Sequence, residues 1–568
     1  MNNGMTDATR NLLEQHFDTA FAAPDGVAKL RELILTLAMQ GKLMEQNPND
    51  PPASELLKEI EAEKQRLVKA GKIKKPKPLS PIKPEEVPYE LPQGWEWVRL
   101  GDICSYIQRG KGPKYVDFST HRVISQKCVR WYGLDLEPAR YIDPASLDKY
   151  EPIRFLRVGD LLWNSTGTGT IGRACLVPQE LEGVEIVADS HVTVVRSIEV
   201  RPVFLWRWIQ SPTVQNEIEG SASGTTNQIE LNTSTVINHL MPLPPLPEQH
   251  RIVARIDQLM ARCDELEKLR KEREEKRVVV HAAAIKQLLD APDGTAWDFI
   301  QQHFGELYTV KENVAELRKA ILQLAVMGRL VPQSPNDPPA SELLKEIEAE
   351  KQRLVKAGKI KKPKPLPPIK PEEVPYQLPQ GWEWVRLGDI GNTNIGLTYS
   401  PSDVSDTGIP VLRSNNIQNG VLDLTDLKRV NMDVKESVLV QDGDLLICAR
   451  NGSRALVGKT ALITGLNEKM AFGAFMAIFR SRVNTYLLRF INSPLFRRVI
   501  DEVNTMTINQ ITQNNLRTTI CPLPPLPEQH RIVARIDQLM ALCDTLDQQI
   551  DAASTKQTEL LGAVMTQV

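Results

Sequence analysis

The sequence predicts a mixed α/β (α+β) chain: two globular α/β modules separated by a long antiparallel two-helix coiled coil, the whole a pseudo-twofold internal repeat. Three observations predict it. A 56-residue block recurs almost unchanged, a second block recurs without a single change, and a heptad-patterned helix begins in the second block both times.

Residues 48–103 and 335–390 agree at 54 of 56 positions, only Ser80/Pro367 and Glu90/Gln377 differing. Upstream the likeness is weaker, LRELILTLAMQGKL (30–43) answering LRKAILQLAVMGRL (317–330). PLPPLPEQHRIVARIDQLMA stands at 242–261 and again at 522–541. The segments between hardly match. Their landmarks are Leu134-Asp135-Leu136 with Leu422-Asp423-Leu424, Gly159-Asp160-Leu161-Leu162 with Gly443-Asp444-Leu445-Leu446, and Asn227-Gln228-Ile229 with Asn509-Gln510-Ile511. The expected domains are therefore 1–103 (helices and a proline-rich strap), 104–241 (first module), 242–390 (long helix, repeated helices, strap), 391–521 (second module) and 522–568 (closing helix). Near-identity beside near-complete divergence reads as identical partners for the repeated parts and different ones for the modules. Gene conversion of the repeats without functional meaning is the alternative.

In order along the chain, 27–45 and 53–70 have helical periodicity, the second opened by Pro51-Pro52 with Ser54 as its expected cap and stopped by Gly71. KIKKPKPLSPIKPEEVPYELPQG then reads as an extended strap whose lysines (72, 74, 75, 77) belong to a solvated linker rather than to phosphate contacts. The same order recurs at 314–381. Within the modules, 158–177 and 442–463 read as strand, polar glycine-rich loop, strand, while 206–218 and 487–503 read as short amphipathic helices. PLPPLPEQ closes each module and opens a rod, with Pro247 and Pro527 in the first turn and Glu248 and Glu528 at the positive end of the helix dipole. Ile252, Ile256, Leu259, Cys263 and Leu266 give one seam. Ile532, Ile536, Leu539, Cys543, Leu546, Ile550, Ala553, Leu560 and Val564 give the other, interrupted at Gln557.

Composition narrows the function classes. The chain has 568 residues, 41% hydrophobic and 25% charged, as in a soluble globular protein. Neither an apolar stretch of ~20 residues nor a secretory leader is read in it, so no membrane role is expected. The seven cysteines (104, 128, 175, 263, 448, 521, 543) are scattered without a CxxC pair, which points to a reducing cytoplasm rather than to zinc or disulfides. A net charge of −2 means that any DNA footprint must be local.

No catalytic constellation emerges. NDPPA (49–53, 336–340) superficially resembles the Asx-Pro-Pro-aromatic motif of amino-methyltransferases but lacks the aromatic residue, and no glycine-rich cofactor loop precedes it. GSRALVGKT (452–460) has one residue too many between its glycines for a phosphate loop. His16/His303 and His250/His530 recur without a metal-ligand or triad pattern. A binding or scaffolding role is expected, with no catalytic residue, metal or cofactor in this chain.

The DNA-reading candidates are basic and amide side chains interleaved with aromatics. In the first module these are Arg109, Lys111, Lys114, Arg122, Lys127 and Arg130, near Tyr115 and Phe118. In the second they are Arg413, Asn415 and Asn416, followed by Arg450, Asn451, Arg454 and Lys459. Cationic groups anchor phosphates, and Arg, Lys, Asn and Gln read base edges in the major groove. A solvated surface carries the same residue types. Asn227-Gln228 and Asn509-Gln510 occur in both modules and are read as framework.

GWEWVRLGDI opening each module, the GDLL hairpin inside it and PLPPLPEQHRIVARID closing it resemble the specificity subunits of type I restriction-modification enzymes over essentially the whole chain. The N-terminal extension repeated centrally is most similar to the EcoA-type (IB) branch. The resemblance implies two target recognition domains, each reading half of an asymmetric, interrupted double-stranded DNA sequence. It implies that the repeated regions hold two methyltransferase (M) subunits and two restriction/translocase (R) subunits, to which AdoMet, ATP and Mg2+ belong. A stand-alone DNA-binding regulator is the alternative.

Overall fold

The computed structural model describes residues 15–566 other than 168, 223–230, 291–293, 359, 361, 419 and 504–508. Asn227-Gln228-Ile229 thus lie outside the described residues. The chain forms two compact units, one of residues 1–272 with 553–568, the other of residues 273–552.

The first unit opens with α1 (Gly26–Met39) and α2 (Ala53–Lys69). The predicted helix over 27–45 ends early because Gly41 takes a left-handed φ of +68°, where a Cβ would lie 2.4 Å from Pro92. Gly328, in the repeat, has φ +69° and the same proline contact through Pro379. Ser54 is not the cap of α2. The cap position is Pro52, and the Ala53 amide donates to the Gly94 carbonyl at 2.8 Å. The strap is tied down rather than free. Arg99 donates to the Ser80 carbonyl and pairs with Glu86 at 2.9 Å, and the Tyr89 hydroxyl donates to the Met39 carbonyl. Buried Lys64 caps the end of the Leu100–Ile103 turn through the carbonyls of Gly101 and Asp102, both at 2.7 Å.

Strands β1 (Glu96–Arg99) and β2 (Cys104–Arg109) lead into the module, followed by β3 (Arg122–Ile124), β4 (Leu161–Asn164), β5 (Ala174–Leu176), β6 (Val187–Ala188) and β7 (Val192–Ser197). The main sheet has the order β2-β7-β4-β5 and is antiparallel, while β3 pairs in parallel with β6 in a second, smaller sheet. Ile107, Leu161, Trp163 and Val195 on one face of the main sheet share a core with Phe204, Leu205 and Trp208. Tyr106, Leu162, Cys175 and Val194 on the other face pack with Ile124 and Ala188 of the smaller sheet. Both faces being covered, all four β4 residues are buried, which is why Leu161-Leu162-Trp163 reads as an apolar run instead of alternating.

The predicted helix at 206–218 is two helices, α3 (Pro202–Gln210) and α4 (Pro212–Ala222), because Pro212 cannot continue the first. Strand β8 (Leu240–Leu243) then returns to pair with β1, Glu96 opposite Leu243 and Arg99 opposite Leu240. The module's opening and closing sequences are therefore one antiparallel ribbon. Rod α5 (Leu246–Asp290) follows, 45 residues or about 67 Å. Its seam residues Ile252, Ile256 and Cys263 are buried with Ile34, Leu35 and Ile60 of α1 and α2.

The second unit repeats the plan: α6 (Lys311–Val326), α7 (Ala340–Lys356), β9 (Glu383–Arg386), β10 (Asn392–Ile395), β11 (Ile409–Leu412), β12 (Leu445–Cys448), β13 (Thr460–Leu462), β14 (Ala471–Phe472) and β15 (Met476–Arg480). The sheet order is β10-β15-β12-β13, with β11 parallel to β14. The predicted helix at 487–503 again breaks before a proline, into α8 (Asn484–Ile491) and α9 (Pro494–Val503). Strand β16 (Ile520–Leu523) pairs with β9, and α10 (Leu526–Thr566) is the second rod. Ala553, expected on its seam, is exposed, and the stripe steps through half-buried Ser554 and Gln557 to buried Leu561 and Val564. A straight helix of 3.6 residues per turn drifts ~20° per heptad from a 3.5 repeat, which accounts for the step.

Candidate nucleic-acid interface

Sheet topology gathers the candidate loops. The C-terminal ends of β2 and β4 pair with the start of β7, Arg109 opposite Thr193 and Asn164 opposite Val192. Strands β3 and β6, being parallel, end together, and the three residues Asp189, Ser190 and His191 join β6 to β7. Four loops therefore share one end of the first module: 110–115, 125–130, 165–167 with 169–173, and 189–191. The same pairings bring 396–400, 413–418, 449–459 and 473–475 together in the second.

Glycine makes the closest approach possible. A Cβ on Gly110 would lie 2.2 Å from the carbonyl oxygens of Ala188 and Asp189. One on Gly396 would lie 2.2 Å from that of Gly473. Loop-to-loop hydrogen bonds fix the cluster. In the first module the Asn164 amide donates to the carbonyls of Gln126 (3.0 Å) and Thr170 (3.2 Å), and the Thr170 hydroxyl donates to Gln126 Oε1 at 3.1 Å. In the second the Asn451 amide reaches Ser414 Oγ at 3.4 Å, and the Phe475 carbonyl accepts from the amides of Ala449 and Arg450. The recurrent Asn509-Gln510 pair stands behind this loop. Asn509 donates to the Gly452 carbonyl at 3.1 Å and accepts from the Asn451 amide, while Gln510 bridges Arg450.

Of the candidates, Lys111 and Lys127 are exposed, the former with its ammonium 5.8 Å from the Tyr150 ring centre. Arg109 is half-buried at the end of β2, beside Asp189. Lys114 pairs with Asp143 at 3.1 Å, and half-buried Arg130 with Asp135 at 3.7 Å. Arg122 is committed to the framework: it donates to the Leu136 carbonyl and the Tyr141 hydroxyl, both at 3.1 Å, and lies over the Tyr141 ring. In the second module Arg413 and Asn415 both reach Asp426, at 3.1 and 2.6 Å. Asn416 corrects the expectation outright. It is 1% exposed, and its amide is spent on the carbonyls of Asp423 and Asp426, so it presents no edge to a base. Arg450 is exposed over the Phe475 ring at 5.5 Å, Arg454 pairs with Asp501 at 3.1 Å, and Lys459 is half-buried.

Several residues at this surface were not singled out from the sequence. Arg140 stacks on the Tyr115 ring at 3.9 Å. Buried Asp189 accepts from the His191 amide at 2.8 Å, and loss of hydration pushes its carboxyl above the usual range against the opposing pull of that bond and of nearby Arg109 and Arg140. Thr166 Oγ1 bonds His191 Nδ1 at 2.7 Å. The signal for this pair was available. Setting Asp160 against Asp444 and Arg196 against Arg480, both 284 apart, places Thr166 on Arg450 and His191 on Phe475.

Those two anchors explain the GDLL landmark. Asp160, 1% exposed, binds Arg196 through two hydrogen bonds of 2.7 Å and accepts the Arg157 amide at 2.8 Å. Asp444 holds Arg480 at 2.7 and 2.6 Å. The preceding glycines, at φ +83° and +88°, turn the chain into the strand. The joint below each module is equally regular. The Trp95 indole donates to buried Glu248 and that of Trp382 to Glu528, both at 3.0 Å. Burial pushes both carboxyls above the usual range, partly offset by these bonds. Arg251 pairs with Asp50 at 2.5 Å and Arg531 with Asp337 at 2.6 Å, so the aspartates of NDPPA lock the rods. Among the described residues no group of His, Cys, Asp or Glu is arranged to hold a metal, and no helix is long and apolar enough to cross a membrane.

Two similar modules with divergent loop ends, each hinged by the same ribbon to the same kind of helices, define a protein of two variable modules on one repeated frame. The family described as the type I restriction modification DNA specificity domain matches the chain twice, at residues 92–275 and 379–553, and the chain belongs to it. It is 35% identical to the EcoAI specificity subunit and 34% identical to the EcoEI specificity subunit, both of Escherichia coli, each match covering 95% of this chain and 93% of the relative. The HsdS subunit from Thermoanaerobacter tengcongensis aligns with 84% of this chain and 98% of its own, with 22% identity and a TM-score of 0.45. The chain is thus a DNA specificity subunit of a type I restriction-modification system, of the EcoA type, with a non-catalytic role.

Proposed function

We propose that the chain reads a bipartite, asymmetric double-stranded DNA target, one half with the loop end of each module. The observation that carries this is that corresponding loops converge in both modules on an equivalent frame while presenting different side chains: Thr166 with His191 in one, Arg450 with Phe475 in the other. Lys111 and Lys127 suit phosphates, whereas Arg450, Asn451, Asn415 and Arg413 suit base edges. The repeated frame holds two methyltransferase subunits and, in the full complex, two restriction/translocase subunits. AdoMet, ATP and Mg2+ act on those partners, and the complex works in the cytoplasm. The rods run antiparallel as the spacer between modules, a reading supported by the repeat itself, which closes each module with the same PLPPLPEQHRIVARID joint and a heptad-patterned helix.

The test is an exchange of cassette 104–241 for that of a relative, with methylated adenines mapped in cells carrying the exchanged and original subunits. One half of the recognised sequence should change and the other stay. An exchange that alters both halves, or neither, refutes the modular reading.

A further inference from the structure

We infer that Phe475 is a specificity-determining residue of the second module, its ring meeting the 5-methyl group of a thymine in that module's half-site. This rests on the reading of the loop ends as the DNA surface and extends it to one contact.

Phe475 is 61% exposed, yet its backbone is firmly held. Its carbonyl accepts from Ala449 at 2.9 Å and Arg450 at 3.0 Å. Gly473 donates to the Leu412 carbonyl at 2.9 Å, and Met476, next in the chain, is buried opposite Cys448. A single exposed apolar side chain is ordinary on a protein surface. The neighbours of this one are what distinguish it. The Arg450 guanidinium lies 5.5 Å from the ring centre, and Arg450 leads into the loop where Asn451 reaches Ser414. An apolar ring is thus set among guanidinium, amide and hydroxyl groups of the kind that bind base edges. Of the groups that base pairs present in the major groove, only the thymine methyl is apolar, and a phenyl ring is one of its usual partners.

The first module supplies the comparison. At the corresponding positions His191 and Thr166 are in contact through a 2.7 Å hydrogen bond. The same two positions touch in both modules, one pair polar and the other a cation over an apolar ring. A framework contact would call for similar chemistry at both places; a reader of two different half-sites calls for different chemistry.

The experiment uses the full chain assembled with its methyltransferase subunits and duplexes carrying the mapped target. Each thymine of the second half-site, on either strand, is replaced singly by deoxyuridine, which removes only the methyl, and affinity is measured at one fixed salt concentration. At one position the wild-type complex should lose about fourfold, the value of one buried methyl. The Phe475→Ala complex should bind thymine and uracil duplexes there equally, with Phe475→Leu intermediate. Sensitivity to thymines of the first half-site should be unchanged in both variants, which also reports that they fold. A wild-type scan without a sensitive position, a half-site without thymine, or a Phe475→Ala complex as sensitive as wild type each overturns the inference. If Phe475→Ala fails to assemble, the wild-type scan and Phe475→Leu decide it alone. A wedge inserted between base steps would leave the scan flat and so counts against the methyl contact. Should exchange of 391–521 change the second half-site while the scan stays flat, only the role of Phe475 falls; should that exchange change nothing, the reading of the module falls with it.

Discussion

Replacing Asp160 by alanine should destabilise the first module selectively, and the magnitude follows from burial. The Asp160 carboxylate is 1% exposed and the Arg196 side chain 12%, with two bonds of 2.7 Å between them. Removing one member of such a pair leaves an uncompensated buried charge, at about 3–5 kcal/mol. That is a large part of the ~5–15 kcal/mol available to a domain, and at ~2–4 °C per kcal/mol it lowers the module's Tm by roughly 6–20 °C. The second module provides an internal scale. Asp444 is equally buried, but the Arg480 side chain is 39% exposed, so its guanidinium regains hydration when the partner goes. Asp444→Ala should cost less, on the order of 1–3 kcal/mol. Calorimetry of the full chain, with limited proteolysis to identify which module opens, measures both. Asp160→Leu combined with Arg196→Met should recover much of the loss, since an apolar replacement of similar volume removes the stranded charge. The functional readout is loss of discrimination at the first half-site with the second retained. An Asp160→Ala cost below ~1 kcal/mol, or one smaller than that of Asp444→Ala, would refute the reasoning.

Three further outcomes are expected. His281 on α5 contacts the Tyr308 hydroxyl at 3.1 Å, and burial lowers its pKa; a depressed folded value gives stability that is present above the unfolded pKa of ~6.5 and lost as pH falls through the folded one. Acid should therefore weaken this packing, and His281→Leu, matching Leu561 at the corresponding position of α10, should flatten that part of a pH-stability profile. Inserting four residues into each rod, after Arg270 and after Ile550, adds about 6 Å and turns the helix by only ~40°. The methylated target should then carry a spacer longer by one or two base pairs at ~3.4 Å each, with both half-sites unchanged, and methylation confined to the original spacing would rule the rods out as the ruler. Lys111→Ala and Lys127→Ala should each lower the salt slope of binding by ~0.9 without altering the consensus, whereas Arg450→Ala should relax one position at ~1–3 kcal/mol; a consensus change from either lysine variant would reverse their assignment.

The sequence by itself determined the elements whose causes are local. Helical periodicity placed α1, α2 and the rods, apolar runs flanking a glycine-rich loop placed β4 with β5 and β12 with β13, and the repeats declared two modules on one frame. Local pattern also overreached. Periodicity continued through Ser211-Pro212, where only the proline stops the helix, and the heptads of α5 registered burial without naming what covers Ile252, Ile256 and Cys263, which is α1 and α2 of the same unit. Tertiary structure alone decided the rest. It joined β1 to β8, set Trp95 on Glu248 across 153 residues, and gathered four separate loops at one end of each sheet. It also sorted the candidate readers, taking Asn416 and Arg122 into the framework and leaving Lys111, Lys127 and Arg450 exposed. Pairing register and the direction of a strand end are non-local, fixed by which faces can be buried together. Residue type says what an arginine or asparagine can bind; only the fold determines whether that capacity is already spent.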